Sequence, residues 1–140
     1  MDTKPLVGYL TAWNYYESLK NPVNTKFVDA WKQYIAAKGL KDYPVTDDPM
    51  EASYIGIHLW KQAVEKAKST SVDAVRKALV GQTFHAPSGS VVEVLPNQYL
   101  KKPVYIGQVR ADGQFDVVWK SKGVVPGEAW SPYIPKPKNA

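Results

Sequence analysis

The clearest pattern in the chain is a helical spacing of large apolar side chains within residues 46–67, which read TDDPMEASYIGIHLWKQAVEKA. The apolar side chains that recur every three or four positions are Met50, Tyr54, Ile57, Trp60 and Val64. This spacing places them on one face of an α-helix. We therefore predict a helix over residues 49–67, with Asp48 as its N-cap and Pro49 in its first turn. Glu51, three residues after that cap, would complete a capping box.

The same spacing predicts a helix on either side of this one. The first begins at Pro22 after the N-cap Asn21, and Gly39 suits the left-handed position beyond its end. Its apolar face is expected to contain Phe27, Ala30, Trp31, Tyr34 and Ile35. The third, shorter helix has Ser71 as its cap and Gly81 as its stop. Its expected inward side chains are Val72, Val75 and Leu79.

In the second half of the chain the hydrophobic period changes from helical to that of a β-strand. Strands are expected at residues 90–96, 102–110 and 114–120, where Val, Ile and aromatic residues are enriched. Ala111, Asp112 and Gly113 lie between the last two and predict a tight hairpin. Residues 5–16 lack helical spacing and are expected to be extended. The proline-rich residues after Lys122 are expected to form an extended, poorly ordered tail.

This order of elements does not have the β-α-β alternation of a complete doubly wound domain. Amphipathic helices with strong caps precede only a few strands, so they resemble a layer that covers a sheet from elsewhere. The apolar flank around Ile57 and Trp60 is expected to lie against β-structure that these 140 residues do not contain.

Composition and charge narrow the function classes. The net charge is +5, but the lysines are scattered among acids and there are only two arginines, so no nucleic-acid partner is predicted. The absence of Cys excludes disulfides and thiolate chemistry. No apolar run approaches the roughly 20 residues of a membrane span. From the sequence as given we predict no signal peptide, because the short apolar N-terminal stretch is interrupted by Gly8.

The residues that could support chemistry do not form a recognisable set. His58 lies among apolar residues of a helix, and His85 has no partner at metal-ligand spacing. Asp47 and Asp48 are explained by helix capping, and Ser88 lacks the sequence of a nucleophile elbow. We therefore predict no catalytic residue, no metal site and no cofactor, and no enzyme activity.

The aromatic cluster Trp13, Tyr15 and Tyr16 is the candidate ligand-binding site. Alternate side chains of an extended segment point to opposite faces, so these three rings cannot all enter one core. At least one is expected to face a cleft or an interface. Packing of all three on the neighbouring helices is the alternative.

Taken in order, the features resemble one family. The segments that carry the resemblance are GYLTAWNYYESLKNPVNTKFVDAWKQY, TDDPMEASYIGIHLWKQAVEKA, SVDAVRKALVGQTFHAPSGSVVEV and NQYLKKPVYIGQVRADGQFDVVWKS. They resemble the C-terminal portion of ABC-transporter periplasmic substrate-binding proteins. Within these, the urea and short-chain-amide branch of the branched-chain amino acid (Leu/Ile/Val) binding-protein family is most similar.

The resemblance implies an α/β chain with a partial type I periplasmic-binding-protein fold, in which three helices are followed by a small antiparallel β segment. The chain would be a fragment of a two-lobed protein. Residues 1–20 would form a segment near the hinge, residues 21–100 a helical layer of the first lobe, and residues 101–122 the crossing strand and hairpin of the second lobe. Residues 123–140 would form the proline-rich tail.

The resemblance also implies a function. The full-length, exported periplasmic protein would hold urea, a short-chain amide or an amino-acid-like solute between its lobes and dock on ABC permease subunits. This chain would need the remaining part of the same binding protein, and its exposed helix faces would favour self-association. Two alternatives remain: an amide-sensing regulatory protein of the same fold, and a free-standing small α+β protein-interaction module.

Overall fold

The computed structural model describes residues 4–42 and 44–135, and within them it contains three α-helices and two antiparallel three-stranded sheets. The elements are β1 (Leu10–Trp13), α1 (Pro22–Lys38), α2 (Asp48–Ala67), α3 (Val72–Leu79), β2 (Thr83–His85), β3 (Val91–Val94), β4 (Leu100–Lys101), β5 (Tyr105–Val109) and β6 (Phe115–Lys120). The predicted mixed α/β class is confirmed. In this part of the chain no helix combines the length and the apolar character that crossing a membrane requires.

The first sheet has the strand order β1-β5-β6, so the N-terminal strand pairs with a strand near the other end of the chain. Leu10 pairs with Gln108, and Trp13 with Tyr105. The predicted β5–β6 hairpin is confirmed. At its turn the side chain of Asp112 accepts a hydrogen bond from the backbone N–H of Gln114.

The second sheet has the order β2-β3-β4 and contains two strands that the sequence pattern did not predict. Strands β2 and β4 have three and two residues, which is too short to show an alternating pattern. They form because β3 offers a backbone edge to each of them and because helix α2 covers the sheet.

Helix α1 has the predicted caps. The side chain of Asn21 accepts a hydrogen bond from the backbone N–H of Asn24, and Gly39 adopts the left-handed conformation with φ 65°. The predicted apolar face is only partly correct. Asn24 and Val28 are the buried residues, whereas Tyr34 is exposed, because α1 packs through its N-terminal half.

The cap of helix α2 differs from the prediction by one residue. Asp47 is the N-cap, since its backbone is extended (φ −135°, ψ 176°) and its carboxylate accepts a hydrogen bond from Met50 N–H. Asp48 is already the first helical residue. Glu51 consequently falls outside a capping box and turns towards the interior, where it is fully buried.

Helix α2 has two apolar faces, and the sequence pattern predicted the outer one. Ile55, Leu59 and Ala63 form the buried face. On the predicted face, Ile57 is 68% exposed and Trp60 is 49% exposed. The described residues of this chain therefore leave this flank uncovered, and a covering sheet outside the chain stays a prediction.

Helix α3 begins after Ser71, which accepts a hydrogen bond from Ala74 N–H, as predicted. Val75 is buried and Leu79 packs against the core. The prediction that Val72 points inward is wrong. Val72 is the first residue of the helix, and its side chain lies on the solvent side.

The main apolar core belongs to one part of the molecule. Its residues are Ile55, Leu59, Ala86, Val92 and Val94, with Leu79, Phe84 and Leu100 packed against them. All of these lie in α2, α3, β2, β3, β4 and the connections between them, which we call the helical unit. Strands β1, β5 and β6 form the first sheet, and none of their residues belongs to this core. We call this first sheet the three-stranded unit, to distinguish it from the helical unit with its own sheet β2-β3-β4. The predicted segments 1–20 and 101–122 thus contribute strands to the same sheet, while their assignment to lobes stays a prediction.

The predicted poorly ordered tail is wrong for its first part. Val125 and Lys102 exchange backbone hydrogen bonds of 3.1 and 2.7 Å, and Gly127 N–H bonds to Leu100 O at 3.1 Å. Residues 123–127 therefore run beside strand β4. Residues 136–140 of the predicted tail lie outside the described residues.

Candidate functional site at the junction of the two units

Tyr15 is fully buried between α1 and the segment that leads into α2. Its hydroxyl donates to Asn24 Oδ1 at 2.7 Å and lies 2.7 Å from Thr46 Oγ1. Its ring meets Phe27 edge to face, with 6.0 Å between the ring centroids. Burial raises the pKa of the Tyr15 hydroxyl well above its usual range, and the Thr46 hydrogen bond offsets a part of this shift. The hydroxyl therefore remains protonated and acts as a structural hydrogen-bond centre.

Tyr16 packs on the opposite side, over the three-stranded unit. Its hydroxyl donates to Thr11 O at 2.9 Å and accepts from Gly107 N–H at 3.1 Å, so it joins β1 to β5. Its ring lies against Phe115 of β6, at a centroid distance of 4.8 Å. Tyr16 thus covers one face of the sheet.

Trp13 stacks on Tyr16, with ring centroids 5.5 Å apart and an interplanar angle of 22°. It keeps 39% of its surface exposed, whereas the two tyrosines are buried. The structure therefore brings Trp13 and Tyr16 together and places Tyr15 elsewhere. Contact between these three residues and a ligand stays a prediction, and Trp13 is the one that offers accessible surface.

The chain passes between the two units at three points, after β1, before β5 and after β6, and Asn14 connects the first two. Its backbone N–H donates to Asp48 Oδ1 at 3.1 Å, and its side-chain Nδ2 donates to Pro103 O at 2.6 Å. Nearby, Glu17 Oε2 accepts from the backbone N–H of Thr46 at 2.6 Å. These bonds fix the segment before α2 and the segment before β5 to the end of β1.

Glu51 supplies the charge at this junction. Oε1 accepts from the backbone N–H of Ser88 at 3.0 Å, and Oε2 lies 2.9 Å from Lys102 Nζ. The Glu51 side chain has no exposed surface, and that of Lys102 is 13% exposed. Ser88 O in turn accepts from the hydroxyl of Tyr105 on β5 at 2.7 Å. Burial, together with the Glu51 charge, raises the pKa of Tyr105.

Sequence reasoning missed this network. Glu51 was interpreted as a capping residue, and Lys102 as part of a strand. A signal was present: Glu51 precedes Ile55 by four residues, so it continues the buried face of α2. An acid on an apolar face requires a buried cation or donor nearby.

The side chains of the other candidates, His58, His85 and Ser88, take no part in this network. The His58 ring stacks on Phe84, with centroids 4.8 Å apart, and His85 lies exposed at the end of β2. Within the described residues, the buried Ser88 hydroxyl has no hydrogen-bond partner. Among residues 4–42 and 44–135, no group of three or more His, Cys, Asp or Glu side chains could hold a metal ion.

The arrangement defines a class of protein. Two units, each with its own antiparallel sheet, meet at a junction of hydrogen bonds that lies beside one buried ion pair of the helical unit, and the apolar core stays within the helical unit. This is part of the type I periplasmic binding fold, in which α/β lobes are connected by chain crossings. Residues 1–136 match the family described as periplasmic binding protein domain, and the chain belongs to that family.

Solved structures with this fold include solute-binding proteins of ABC transporters. One from Rhodopseudomonas palustris BisB5, in complex with 3,4-dihydroxybenzoic acid, aligns with a TM-score of 0.69 at 24% identity. The alignment covers 86% of this chain and 32% of that one. A leucine-binding protein from Thermotoga maritima aligns with a TM-score of 0.64 at 21% identity, over 82% of this chain and 31% of that one.

A curated relative from Geobacillus stearothermophilus, named limonene hydroxylase, is 32% identical over 128 residues. The match covers 91% of this chain and 22% of that protein. The chain thus spans about a third of the length of each of the two solute-binding proteins (32% and 31%). It spans less than a quarter of the curated relative.

Proposed function

We propose that this chain is the C-terminal part of a solute-binding protein that captures a small molecule between two lobes and delivers it to the permease of an ABC importer. The family match over residues 1–136 carries this proposal. The full-length protein would be periplasmic, since members of the family act outside the inner membrane. The structure supports the proposal through its polar junction, because hydrogen bonds between two units can be remade when the lobes move.

In this proposal the helical unit and the three-stranded unit belong to different lobes. The exposed flank of α2, with Ile57 and Trp60, would pack on a sheet formed by the rest of the same polypeptide. That packing would remove a contiguous apolar surface from water. The solvent-facing side chains Lys61 and Glu65, one turn apart on the same helix, would stay outside this contact.

We propose urea or a short-chain amide as the solute, on the strength of the sequence resemblance to that branch. A small amide is selected by buried hydrogen-bonding groups that match its N–H and C=O, with aromatic walls that exclude larger molecules. Trp13 is the proposed wall, because it is partly exposed next to the junction. Tyr16, which stacks on Trp13, would support it from within, whereas Tyr15 would act only by fixing the segment that leads into α2. The benzoate and leucine ligands of the structural relatives define the competing solute classes.

The proposed role involves binding without catalysis. The charged groups at the junction, Asp48, Glu51 and Lys102, are already engaged by hydrogen bonds within this chain. An amide-sensing regulator would use the same binding site and differ only in its partner, so export of the full-length protein separates these two roles.

Thermal unfolding of the intact protein with a set of solutes tests the proposal. The set comprises urea, acetamide, formamide, leucine and 3,4-dihydroxybenzoate, all at concentrations far below those that denature. A ligand at 100 times its Kd stabilises by about 2.7 kcal/mol, so a rise of several degrees in Tm is expected for an amide. Replacing Trp13 by Ala should reduce the rise, whereas Trp130→Ala, in the C-terminal segment, should not. A Tm that responds only to leucine or to the benzoate rejects the amide, and no response to any solute rejects solute capture.

A further inference from the structure

The junction between the two units is held by polar contacts, and one buried acidic side chain of the helical unit holds two of the residues beside it. Glu51 lies in the first turn of α2, faces inward and is fully buried. One of its oxygens bonds to the turn at Ser88 and the other to Lys102, which immediately precedes the crossing at Pro103. A single carboxylate therefore connects a helix, a turn and a chain crossing.

The same network continues into the three-stranded unit. The Tyr105 hydroxyl donates to the carbonyl of Ser88, the residue whose N–H Glu51 holds. On the adjacent side of the crossing, Asn14 binds both Asp48 and the carbonyl of Pro103. The apolar core cluster, in contrast, contains residues of the helical unit only. Rotation of one unit against the other would strain the bonds of Tyr105 and Asn14 and leave that core intact. Glu51 fixes Ser88, which accepts the Tyr105 bond.

We propose that Glu51 is a positioning residue that sets the angle between the two units, and thereby the open–closed equilibrium of the proposed solute-binding protein. With Lys102 paired to Glu51, the crossing before β5 is anchored to α2, and movement is restricted to the backbone beyond Pro103. A buried ion pair is costly to form, but removal of one partner leaves the other charge buried and alone. The pair consequently favours one angle between the two units strongly over slightly different angles. Only the expected effect on solute affinity rests on the proposed function; the role of Glu51 in the angle between the units does not.

The chain offers a matched control for Glu51. Glu93 of β3 forms an ion pair with Lys101 at 2.7 Å, next in sequence to Lys102, but both partners are more than one-third exposed and both lie in the helical unit. Glu51→Gln and Glu93→Gln are therefore the same chemical change in two neighbouring pairs. Only the first pair anchors the crossing before β5.

The test measures the distance between the units in the intact protein without any ligand. Because this chain has no Cys, spin labels can be attached at Lys61→Cys on α2 and at Ala111→Cys in the hairpin turn, both exposed. Double electron–electron resonance then gives the distance distribution. We expect Glu51→Gln to broaden or shift it relative to the parent, and Glu93→Gln to leave it unchanged. Glu51→Gln keeps an oxygen for the Ser88 N–H, so it removes the charge and little else.

Acetamide titration adds a functional readout. The apparent affinity falls in proportion to the population of the geometry that can bind the solute. If Glu51→Gln lowers that population, we expect its Kd for acetamide to be roughly threefold to tenfold weaker. If acetamide does not bind the parent protein, the proposed amide specificity fails while the ligand-free distances still test the role of Glu51.

An unchanged distance distribution in Glu51→Gln, with a loss of Tm alone, overturns the inference, because Glu51 would then be merely structural. If Glu51→Gln does not fold, Tyr105→Phe takes its place, since it removes only the hydroxyl that bridges β5 to Ser88. A broader distribution in Tyr105→Phe supports the inference, and a distribution identical to the parent rejects it.

Discussion

The ring of Tyr16 lies directly over the backbone of Gly107. A Cβ atom at Gly107 would be 2.5 Å from Tyr16 Cζ, and the Gly107 N–H donates to the Tyr16 hydroxyl at 3.1 Å. Only glycine allows this approach, since real Cβ contacts are longer than 3 Å. The candidate aromatic residue Tyr16 is thus bound to β5, the strand that follows the crossing at Pro103. Its position therefore depends on a contact between residues far apart in the sequence.

Gly107→Ala should destabilise the protein by about 1–3 kcal/mol, as expected when a close-packed site is overfilled. The matched control is Gly56→Ala on the exposed side of α2, where a Cβ would have nothing within 4 Å. Alanine at a helix-interior position should stabilise by up to about 1 kcal/mol. Urea-induced unfolding of both variants measures the difference, and effects of equal sign would contradict the Tyr16–Gly107 contact.

Tyr15→Phe should cost about 1–3 kcal/mol of unfolding free energy. The change leaves Asn24 and Thr46, both buried, without the hydroxyl that they share. Tyr34→Phe on the exposed side of α1 serves as the control and should change stability little. A Tyr15→Phe variant as stable as its parent would show that water replaces the hydroxyl.

The two faces of α2 should respond differently to truncation. Ile55→Ala removes a fully buried side chain and should cost about 2–5 kcal/mol. In the 140-residue chain, Ile57→Ala should change the unfolding free energy by less than about 0.5 kcal/mol. In the intact protein the cost of Ile57→Ala should rise, because the flank would then be covered. The same small cost in both contexts would contradict the proposed covering sheet.

The exposed flank should also make the 140-residue chain self-associate. Replacing Trp60 by Glu adds a charge to this surface and should shift sedimentation towards the monomer. Lys61→Gln, at the neighbouring solvent-facing position, changes the net charge by the same amount and controls for charge alone. A chain that is monomeric at all concentrations would favour the free-standing module over the fragment.

Stability should fall in alkaline solution. The pKa values of Tyr15 and Tyr105 are raised in the folded state, mainly by burial, so folding favours their neutral forms. This contribution is fully present below the unfolded tyrosine pKa of about 10 and is lost as the pH rises beyond it. Urea midpoints between pH 8 and 11 should therefore decrease, and Tyr105→Phe should reduce the slope. Equal slopes in Tyr105→Phe and its parent would contradict the assigned shift.

The sequence predicted the local elements well, because their signals are local. Asn21, Ser71 and Gly39 mark helix ends through bonds within one or two turns, and the β5–β6 hairpin follows from its turn residues and flanking strands. Short strands such as β4 could not be predicted, since they exist only where a partner strand is supplied. The one-residue error at Asp48 arose because either aspartate could cap, and the backbone conformation decided between them.

The candidate site was predicted less completely. The sequence spacing identified the rings of Trp13, Tyr15 and Tyr16 as candidates. It did not predict that the two tyrosines would be buried on different sides. Glu51 and Lys102 are 51 residues apart, and no local pattern relates them.

By itself, then, the sequence determined where the helices and the hairpin form, and through the resemblance it indicated the family. The tertiary structure decided which face of α2 is buried, because two apolar stripes were available and only packing distinguishes them. It also decided that Glu51 meets Lys102. A buried charge takes its partner from whatever the fold brings within hydrogen-bonding distance, and that distance is not encoded in sequence spacing.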